Sequence, residues 1–391
     1  MDNQKVMTLT IQDVTYEGKG VAKTNDKIIF VENALYDEIV EARIYGENSK
    51  FLKAKTVKIL KKSEYRVDPV CKYFGRCGGC NLRHMTYDRQ LKLKKDIVMS
   101  NIRRMAHIDL FDLEILGSSV PDNYRNKAQY KVRDYKMGFY EEESHIVSFH
   151  DECLLMDNTI NQIKKVIEPH LTPDIIEVTI KKADDGCMVV LETSNYNFQN
   201  SQLLDALKKT GLVISAIQKN GNNKNLLFGK PYITDHLMGK KFNISADSFY
   251  QVNKVQTEKL YNKAVEFLTK NITEEDLKTK KVLDLYCGIG TIGLILADKV
   301  DKVIGVDIVT DAIRNAKDNA KINNISNAEF ICKDAKDAMG DINYDILVID
   351  PPRKGMDKEV LTSIKQHLPE TILYVSCNSA TLARDLYELK S

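Results

Sequence analysis

The chain has 391 residues, of which 43% are hydrophobic, and its formal net charge is only +2. It contains no run of about 18 apolar residues, which excludes a transmembrane helix, and residues 1–5 lack the apolar stretch of a secretory signal. A chain of this length has room for two or three domains. We therefore expect a cytoplasmic protein whose eight cysteines are reduced, metal-bound or catalytic and do not form disulfides.

Several short segments with alternating apolar and polar residues fill the beginning of the chain. They cover residues 6–11, 28–31, 39–44 and 51–59. Short strands at this spacing, separated by turn residues, predict a small β-barrel. We place this first domain at residues 1–60.

The charge of the chain is distributed unevenly. Residues 51–105 contain 15 Lys and Arg but only four Asp and Glu, a net charge of +11, whereas the rest of the chain sums to −9. Such a block fits RNA, DNA or another polyanion, although a solvated lysine-rich face has the same pattern. Within it, residues 61–84 form a cysteine-rich connector, and residues 86–105 are predicted to be a basic helix.

The middle of the chain mixes strands and helices. Strands are predicted at residues 178–180 and 188–191, and a helix at residues 202–209. Together with the connector, this pattern defines a central α+β domain over residues 61–235. Residues 236–255 are predicted to be a bridge to the next domain.

Helices and strands alternate in the last third of the chain. The strands are predicted at residues 282–285, 303–307, 328–331, 346–349 and 372–375. This alternation is typical of a doubly wound parallel sheet of the α/β class. The third domain therefore covers residues 236–391.

A glycine-rich turn follows the first of these strands. Gly288, Gly290 and Gly293 match the G-x-G-x-x-G pattern, in which the backbone turns tightly and approaches a ligand closely. Asp307 ends the next strand, where a carboxylate can bind both hydroxyls of a ribose. These features alone fit NAD and S-adenosylmethionine equally well.

Two more carboxylates follow the later strands. Asp334 comes after the third strand, where it could meet an adenine edge, and Asp350 begins the block Asp-Pro-Pro-Arg after the fourth. Arg353 stands where amine-methylating enzymes have an aromatic residue, so amine methylation is disfavoured and Asp350 is left to bind cofactor or target base. A helix N-cap is the alternative for Asp307 and Asp350.

One cysteine has the setting of a nucleophile. Cys377 follows a predicted buried strand and precedes a predicted helix, and a helix N-terminus favours the thiolate. Its polar neighbours Ser376 and Asn378 favour this interpretation over a small buried cysteine, which fits Cys187 and Cys332 better.

Four other cysteines could bind a metal. Cys71, Cys77 and Cys80 lie within ten residues, and Cys153 follows 73 residues after Cys80. Four thiolates can bind zinc or an iron–sulfur cluster, and the spacing does not distinguish these two.

Taken together, these blocks resemble the RNA uracil-5 methyltransferases. The resemblance is carried by Ser-Phe-Tyr-Gln-Val-Asn at residues 248–253, Asp-Leu-Tyr-Cys-Gly at 284–288, Asp-Pro-Pro-Arg at 350–353 and Ser-Cys-Asn at 376–378. Residues 124–130 are similar to the central-domain block of the family. The N-terminal barrel resembles a TRAM domain, an RNA-binding module of the OB-like type.

The resemblance implies a function and a set of site residues. It implies a class I S-adenosylmethionine-dependent fold, methylation of uracil C5 in 23S ribosomal RNA and a monomeric enzyme. Cys377 would be the nucleophile that adds to C6 of a uracil flipped out of the RNA. The cluster would be [4Fe–4S], as in the ribosomal-RNA branch of the family, with ligands Cys71, Cys77, Cys80 and Cys153. The S-adenosylmethionine site would be lined by Gln251, Tyr286, Thr291, Asp307, Asp334 and Asp350.

The chain departs from the family at two places. Ser379 replaces the usual proline after Asn378, and the sequence ends at Ser391, within the helix that follows the predicted nucleophile. The family sheet continues through two more strands that carry a glutamate proton acceptor, so no general base is assigned here. We expect relatives with roughly 50–70 more residues, and the strand before Cys377 to lie at an uncovered sheet edge.

Three other functions are compatible with parts of the sequence. The same chemistry could act on transfer RNA. A catalytically impaired RNA-binding protein would also explain the missing glutamate. An NAD-dependent oxidoreductase would use the glycine turn but leaves Asp350, Arg353 and Cys377 without a role.

Overall fold

The computed structural model describes residues 5–24, 27–340 and 342–390. By their internal contacts these residues form two compact units. Residues 1–4, whose polar sequence bears on the absence of a secretory signal, lie outside the described residues. Unit 1 comprises Met1–Asn101, Asp109–Gly117 and Gly138–His150, and unit 2 comprises Ile102–Ile108, Ser118–Met137 and Asp151–Ser391.

Unit 1 is built around a six-stranded sheet with the order β1-β5-β6-β4-β3-β2. Only β4 and β6 pair in parallel. Alternate residues of the central strands, such as Ile29 and Val31 or Val40 and Ala42, are completely buried, as expected for a sheet with one face in a core. Its strands are β1 (Val6–Thr10), β2 (Asp13–Val14), β3 (Gly20–Lys23), β4 (Ile28–Glu32), β5 (Ile39–Glu47) and β6 (Phe51–Lys61).

A buried ion pair fixes the chain that leaves this sheet. The Glu38 carboxylate is fully buried and accepts hydrogen bonds from Arg66 Nε (2.5 Å) and Nη2 (2.8 Å), and from the backbone N–H groups of Leu35 and Ser63. Arg66 also donates to the carbonyl of Asn33. Burial alone would raise the pKa of Glu38, but these hydrogen bonds lower it below its usual range.

The cysteine-rich connector has neither a strand nor a helix between Lys61, where β6 ends, and Tyr87, where the basic helix begins. Helix α1 runs over Tyr87–Asn101 and continues into a π-helical turn at Ile102–Ala106, which belongs to unit 2. A hairpin completes unit 1, with strands β8 (Lys136–Tyr140, beginning in unit 2) and β9 (Val147–Phe149).

The central sheet of unit 2 has the strand order β13-β12-β11-β10-β7. Strands β11 and β12 pair in parallel, and the other pairs named here are antiparallel. Its elements are β7 (Lys127–Arg133), α2 (Asn158–Ile167), β10 (Ile175–Ala183), β11 (Gly186–Thr193), α3 (Ser201–Lys209), β12 (Val213–Asn220) and β13 (Asn223–Gly229).

A hairpin occupies the region that was predicted to be a bridge. Strands β14 (Tyr232–Leu237) and β15 (Lys240–Ser245) pair around a tight turn at Met238 and Gly239. Alternate residues such as Ile233 and Phe242 are fully buried in the core. The predicted bridge over residues 236–255 thus begins with the second half of a hairpin whose strands were not predicted.

The last part of unit 2 is a five-stranded parallel sheet with helices on both faces. Its order is β18-β17-β16-β19-β20, and every neighbouring pair is parallel. Each face has its own hydrophobic core, which confirms the predicted doubly wound fold. Its elements are α4 (Lys254–Asn271), α5 (Glu274–Leu277), β16 (Lys281–Leu285), α6 (Thr291–Leu296), β17 (Lys302–Asp307), α7 (Thr310–Ile322), β18 (Ala328–Cys332), α8 (Ala335–Ala338), β19 (Ile346–Ile349), α9 (Lys358–His367), β20 (Thr371–Tyr374) and α10 (Ser379–Lys390).

Strand β20 lies at one edge of the parallel sheet, as expected for the strand before Cys377. Throughout the described ranges, no helix combines the length and the apolar composition that crossing a bilayer requires.

We expect Glu38→Gln to destabilise unit 1 by about 3 kcal/mol, because it leaves the Arg66 guanidinium buried without its counter-charge. Since the folded-state pKa of Glu38 is lowered, its stabilisation is complete above the unfolded pKa and is lost as the pH falls through the folded pKa. Thermal unfolding at neutral and acidic pH measures both effects. Glu47→Gln, which removes an exposed ion pair with Lys27, is the control and should barely change the unfolding temperature.

Candidate active site

A strained turn follows β16 at the carboxyl edge of the parallel sheet. Tyr286 has a φ of 61°, Gly288 of 56° and Gly290 of 82° before α6 begins. A left-handed tyrosine is uncommon because its Cβ crowds the backbone, and such strain concentrates at functional sites. Gly293 approaches Asp284 so closely that a Cβ there would lie 3.0 Å from the carboxylate. The turn therefore has the tight backbone geometry that the glycine pattern predicts.

A pocket lies above this turn and collects most of the predicted cofactor residues. It is lined by Gln251 from the loop before α4, Tyr286 from the turn, Thr291 from the start of α6 and Asp350 from the end of β19. Four of the six residues expected in the cofactor site are thus brought together.

The other two predicted cofactor residues are placed differently. Asp307 ends β17 and binds the turn itself, since its carboxylate accepts hydrogen bonds from the N–H groups of Gly288 (2.9 Å) and Val309 (2.8 Å). Asp334 does not line the pocket and caps α8 by accepting from the N–H of Lys336. Asp334 is therefore a helix N-cap, the role that the sequence analysis considered as the alternative for Asp307 and Asp350.

Burial changes the acidity of two carboxyl groups in the pocket. Asp284 is almost completely buried, and burial raises its pKa to about 8, assisted by the charges of Asp350 and Asp307 and opposed by the N–H of Gly293. Burial also raises the pKa of Asp350 to about 6. Asp284 is therefore mainly protonated at neutral pH, whereas Asp350 retains most of its charge.

The loop before α4, residues 245–253, is held by side chains from two sheets. From the central sheet, Lys181 Nζ donates to the carbonyls of Ser245 (2.9 Å) and Ser248 (3.0 Å). On the parallel-sheet side, Asn315 of α7 donates to the hydroxyl groups of the same two serines. We call these residues, together with Asn126, the loop clamp.

Asn126 binds the loop next to the predicted cofactor residue Gln251. Its side-chain amide donates to the carbonyl of Gln251 (3.1 Å), and its backbone N–H donates to the carbonyl of Val252 (3.0 Å). The segment at residues 124–130, which the sequence analysis compared only with a central-domain block, therefore positions the loop that carries Gln251.

Cys377 lies in a turn between β20 and α10, and its side chain is exposed. The next residue, Asn378, accepts from the N–H of Ala380 and so caps the helix. Asn378 and Thr381 both donate to the carbonyl of Arg353 at 3.3 Å. The turn that carries the predicted nucleophile is thus bound to the loop that follows Asp350.

A second set of contacts joins α10 to the same loop. The fully buried Asp385 accepts hydrogen bonds from the hydroxyl of Tyr374 (2.6 Å) and the N–H of Met356 (2.9 Å). Arg384 donates to the carbonyls of Lys354 and Met356. These polar residues of the last helix were not singled out from the sequence, because their partners lie 11 to 30 positions earlier.

Two aromatic residues of the pocket were also missed. Phe249 lines it with 70% of its side chain exposed, and Tyr261 of α4 lines it from a buried position. Burial, and then the charge of Asp350, raises the pKa of Tyr261. Phe249 lies in the block at residues 248–253, so its position beside Gln251 was an available signal.

The predicted metal ligands come from both units. Cys71, Cys77 and Cys80 lie half-buried in one loop of unit 1, where the N–H of Gly79 donates to Cys77 Sγ at 3.4 Å. Cys153 belongs to unit 2. Over residues 5–24, 27–340 and 342–390, no three His, Cys, Asp or Glu side chains are arranged to hold a metal ion. The assignment of the four thiols to one metal centre therefore stays a prediction.

Comparisons with known proteins agree with this architecture. Residues 188–391 match the family described as tRNA (Uracil-5-)-methyltransferase, and residues 3–57 match the TRAM domain. An uncharacterized RNA methyltransferase of Oceanobacillus iheyensis is 35% identical over 99% of this chain and 90% of its own length. Another, from Clostridium acetobutylicum, is 37% identical over 96% of this chain and 89% of its own length.

A solved structure has the same fold. It is the Pyrococcus abyssi tRNA (uracil-54, C5)-methyltransferase in complex with S-adenosyl-L-homocysteine, with a TM-score of 0.79 and 24% identity. The likeness covers 97% of this chain and 92% of that one.

We expect the stability of the Asp284→Asn variant, relative to the wild type, to increase as the pH rises. The folded-state pKa of Asp284 is raised, so its contribution to the stability of the wild type is lost as the pH rises from the unfolded pKa to about 8. The asparagine side chain does not titrate in this range, and its amide oxygen still accepts the hydrogen bond from the N–H of Gly293. Urea unfolding at pH 5.5 and 8.0 should show the variant gaining at least about 1 kcal/mol on the wild type between the two conditions. An identical difference at both pH values would contradict a buried, protonated Asp284.

Proposed function

Because the chain belongs to the tRNA (uracil-5-)-methyltransferase family and carries a TRAM domain, we propose that it transfers a methyl group from S-adenosylmethionine to C5 of a uracil in RNA. The observation that carries this proposal is the arrangement at the carboxyl edge of the parallel sheet. Gln251, Tyr286, Thr291 and Asp350 line one pocket there, and the exposed thiol of Cys377 follows the neighbouring strand.

The pocket residues suit S-adenosylmethionine. The glycine turn leaves open space at Gly288, where a side chain would otherwise stand, and Asp307 lies at the end of β17, where a ribose carboxylate ligand is expected. Gln251 and Tyr286 supply polar atoms, and Asp350 supplies a negative charge. When bound, this cofactor supplies an electrophilic methyl group.

Cys377 provides the nucleophile of the reaction. Its thiolate adds to C6 of the uracil, and the electrons of the C5–C6 double bond move to make an enolate. S-adenosylmethionine, if held by the pocket residues, would supply the methyl group to C5 and leave as S-adenosylhomocysteine. Removal of the C5 proton by a base, to which no residue is assigned, then restores the double bond and expels the thiolate. Phe249, which is exposed beside the pocket, can stack on a base that has left its RNA context.

We propose 23S ribosomal RNA as the substrate, on the strength of the cysteine loop and the barrel. Transfer RNA is the second candidate, which is favoured by the name of the matching family and by the similarity to the Pyrococcus abyssi tRNA methyltransferase. Methylation of the two RNAs, transcribed in vitro and mapped by mass spectrometry, distinguishes them.

An iron–sulfur centre at Cys71, Cys77, Cys80 and Cys153 is a separate part of the proposal, and no step of the reaction is assigned to it. Four cysteine thiols are the donor set of a [4Fe–4S] cluster, and three of the four lie in one loop of unit 1.

Cys377→Ala should lower methyl transfer by more than about 10³-fold, because the C5 carbon is then not activated. When fluorine replaces the hydrogen at C5 of the target uracil, there is no C5 proton for a base to remove. The wild type should therefore stay covalently attached to such RNA under denaturing conditions. Cys332→Ser is the control, since this exposed cysteine lies at the end of another strand. Full activity of Cys377→Ala, or no adduct with the wild type, would refute the mechanism.

Anaerobic reconstitution with iron and sulfide should yield about four iron atoms per chain and a broad visible absorption. Cys77→Ser should lose most of this iron, whereas Cys187→Ser, at a buried cysteine elsewhere in the chain, should keep it. Purification with zinc, or with no metal after reconstitution, would contradict the iron–sulfur assignment.

A further inference from the structure

Two lysines of the central sheet stand directly opposite each other. Lys127 of β7 and Lys181 of β10 are partners in the antiparallel register, so their side chains lie on the same face of the sheet. Like charges in this position are destabilising. Further along the same two strands, Lys131 is opposite Glu177 and forms an ion pair with it.

Lys181 is buried and makes no ion pair in the part of the chain that the structure describes. Only 5% of its surface is exposed, and its ammonium group donates to the carbonyls of Ser245 and Ser248 in the loop clamp. Burial, and then the charge of Lys127, lower its pKa to about 7. Lys181 is therefore occupied by the loop and cannot take another acceptor easily.

Lys127 makes neither a hydrogen bond nor an ion pair among the described residues, and its side chain is half-buried. Burial lowers its pKa, and so does the guanidinium of Arg125, which stands two residues away, while the charges of Glu177 and Asp247 oppose this shift. The Nε of Arg125 is buried and also has no partner. Two unpaired cations are thus held together beside a third.

The neighbouring cations on the sheet are neutralised. Lys219 and Lys224 both form ion pairs with Asp247, and Lys182 forms one with Asp157. Lys127 differs from these three lysines, because it forms no ion pair among the described residues, although the charges of Glu177 and Asp247 act on it. A half-buried cation without an ion pair is a local exception, and such exceptions occur at functional positions.

The position of Lys127 relates it to the candidate active site. Lys127 lines a small cavity together with Ser248 and Tyr250 of the loop before α4. Tyr250 also lines the cofactor pocket, beside Phe249 and Gln251. An anion bound to Lys127 would therefore lie next to the loop on which a flipped uracil is expected to stack.

We propose that Lys127, with Arg125 beside it, binds a phosphodiester group of the RNA backbone next to the target nucleotide. This inference rests on the proposed function, because it takes RNA as the ligand. A phosphate carries a negative charge and has acceptors for both an ammonium and a guanidinium group, neither of which makes an ion pair among the described residues. The positive charges that repel each other and destabilise the free protein would attract the phosphate of the substrate.

The test uses Lys127→Met, with Lys131→Met as the matched control on the same face of the same strand. Binding of a uridine-containing single-stranded RNA oligonucleotide is measured as a function of salt concentration, together with thermal unfolding of the free protein. Lys127→Met should bind about ten-fold more weakly, reduce the salt slope by about 0.7 and unfold about 2 °C higher. Lys131→Met should change binding less than two-fold and unfold at a lower temperature, because Glu177 loses its partner.

Opposite changes in stability and RNA binding separate a ligand site from a structural lysine. Lys127→Arg keeps the charge and should restore most of the RNA affinity. Suppose that the wild type methylates RNA. If Lys127→Met then binds RNA as tightly as the wild type, or unfolds at a lower temperature, the phosphate site is wrong while the proposed function stands. If the wild type neither binds nor methylates RNA, the proposed function fails, and the inference fails with it.

Discussion

The loop at residues 245–253 is held from two sides by buried polar side chains, and the geometry of the site depends on this clamp. Lys181 and Asn126 reach it from the central sheet, and Asn315 reaches it from α7. All three bind carbonyl or hydroxyl groups, so the position of the loop is set by hydrogen bonds whose loss would leave buried donors unpaired. Gln251 is thereby fixed over the glycine turn, and the sheet proposed to contact RNA is mechanically joined to the cofactor pocket.

The chain treats its buried charges in two ways. In unit 1, Glu38 is fully compensated by Arg66, so this pair contributes to the fold. Around the pocket, among the described residues, the buried Asp284 and the half-buried Asp350 form no ion pair, and neither does Lys127. A site that must receive charged ligands retains uncompensated groups, and the paired surroundings supply the stability that this costs.

The sequence predicted the parallel sheet well because buried parallel strands are continuous apolar runs. Residues 346–349, for example, have the same bounds in the structure. The hairpin over residues 232–245 was missed because its alternation includes Lys240 and Lys241 beside a glycine, which resembles a loop. A carboxylate after a strand can be a ligand or a helix cap, so spacing could not show that Asp334 is a cap. The loop clamp joins positions more than 60 residues apart, and such contacts leave no local pattern.

The carbonyl of Arg353 serves as a shared anchor for Asn378 and Thr381, and α10 is fastened to the same loop through Asp385. The turn that carries Cys377 and the loop that follows Asp350 are therefore held together by hydrogen bonds, although helix α9 and strand β20 separate them in the chain. A protein engineer who wished to re-aim the thiol toward another base could not adjust its turn alone. The two loops and the last helix would have to be exchanged as a single cassette.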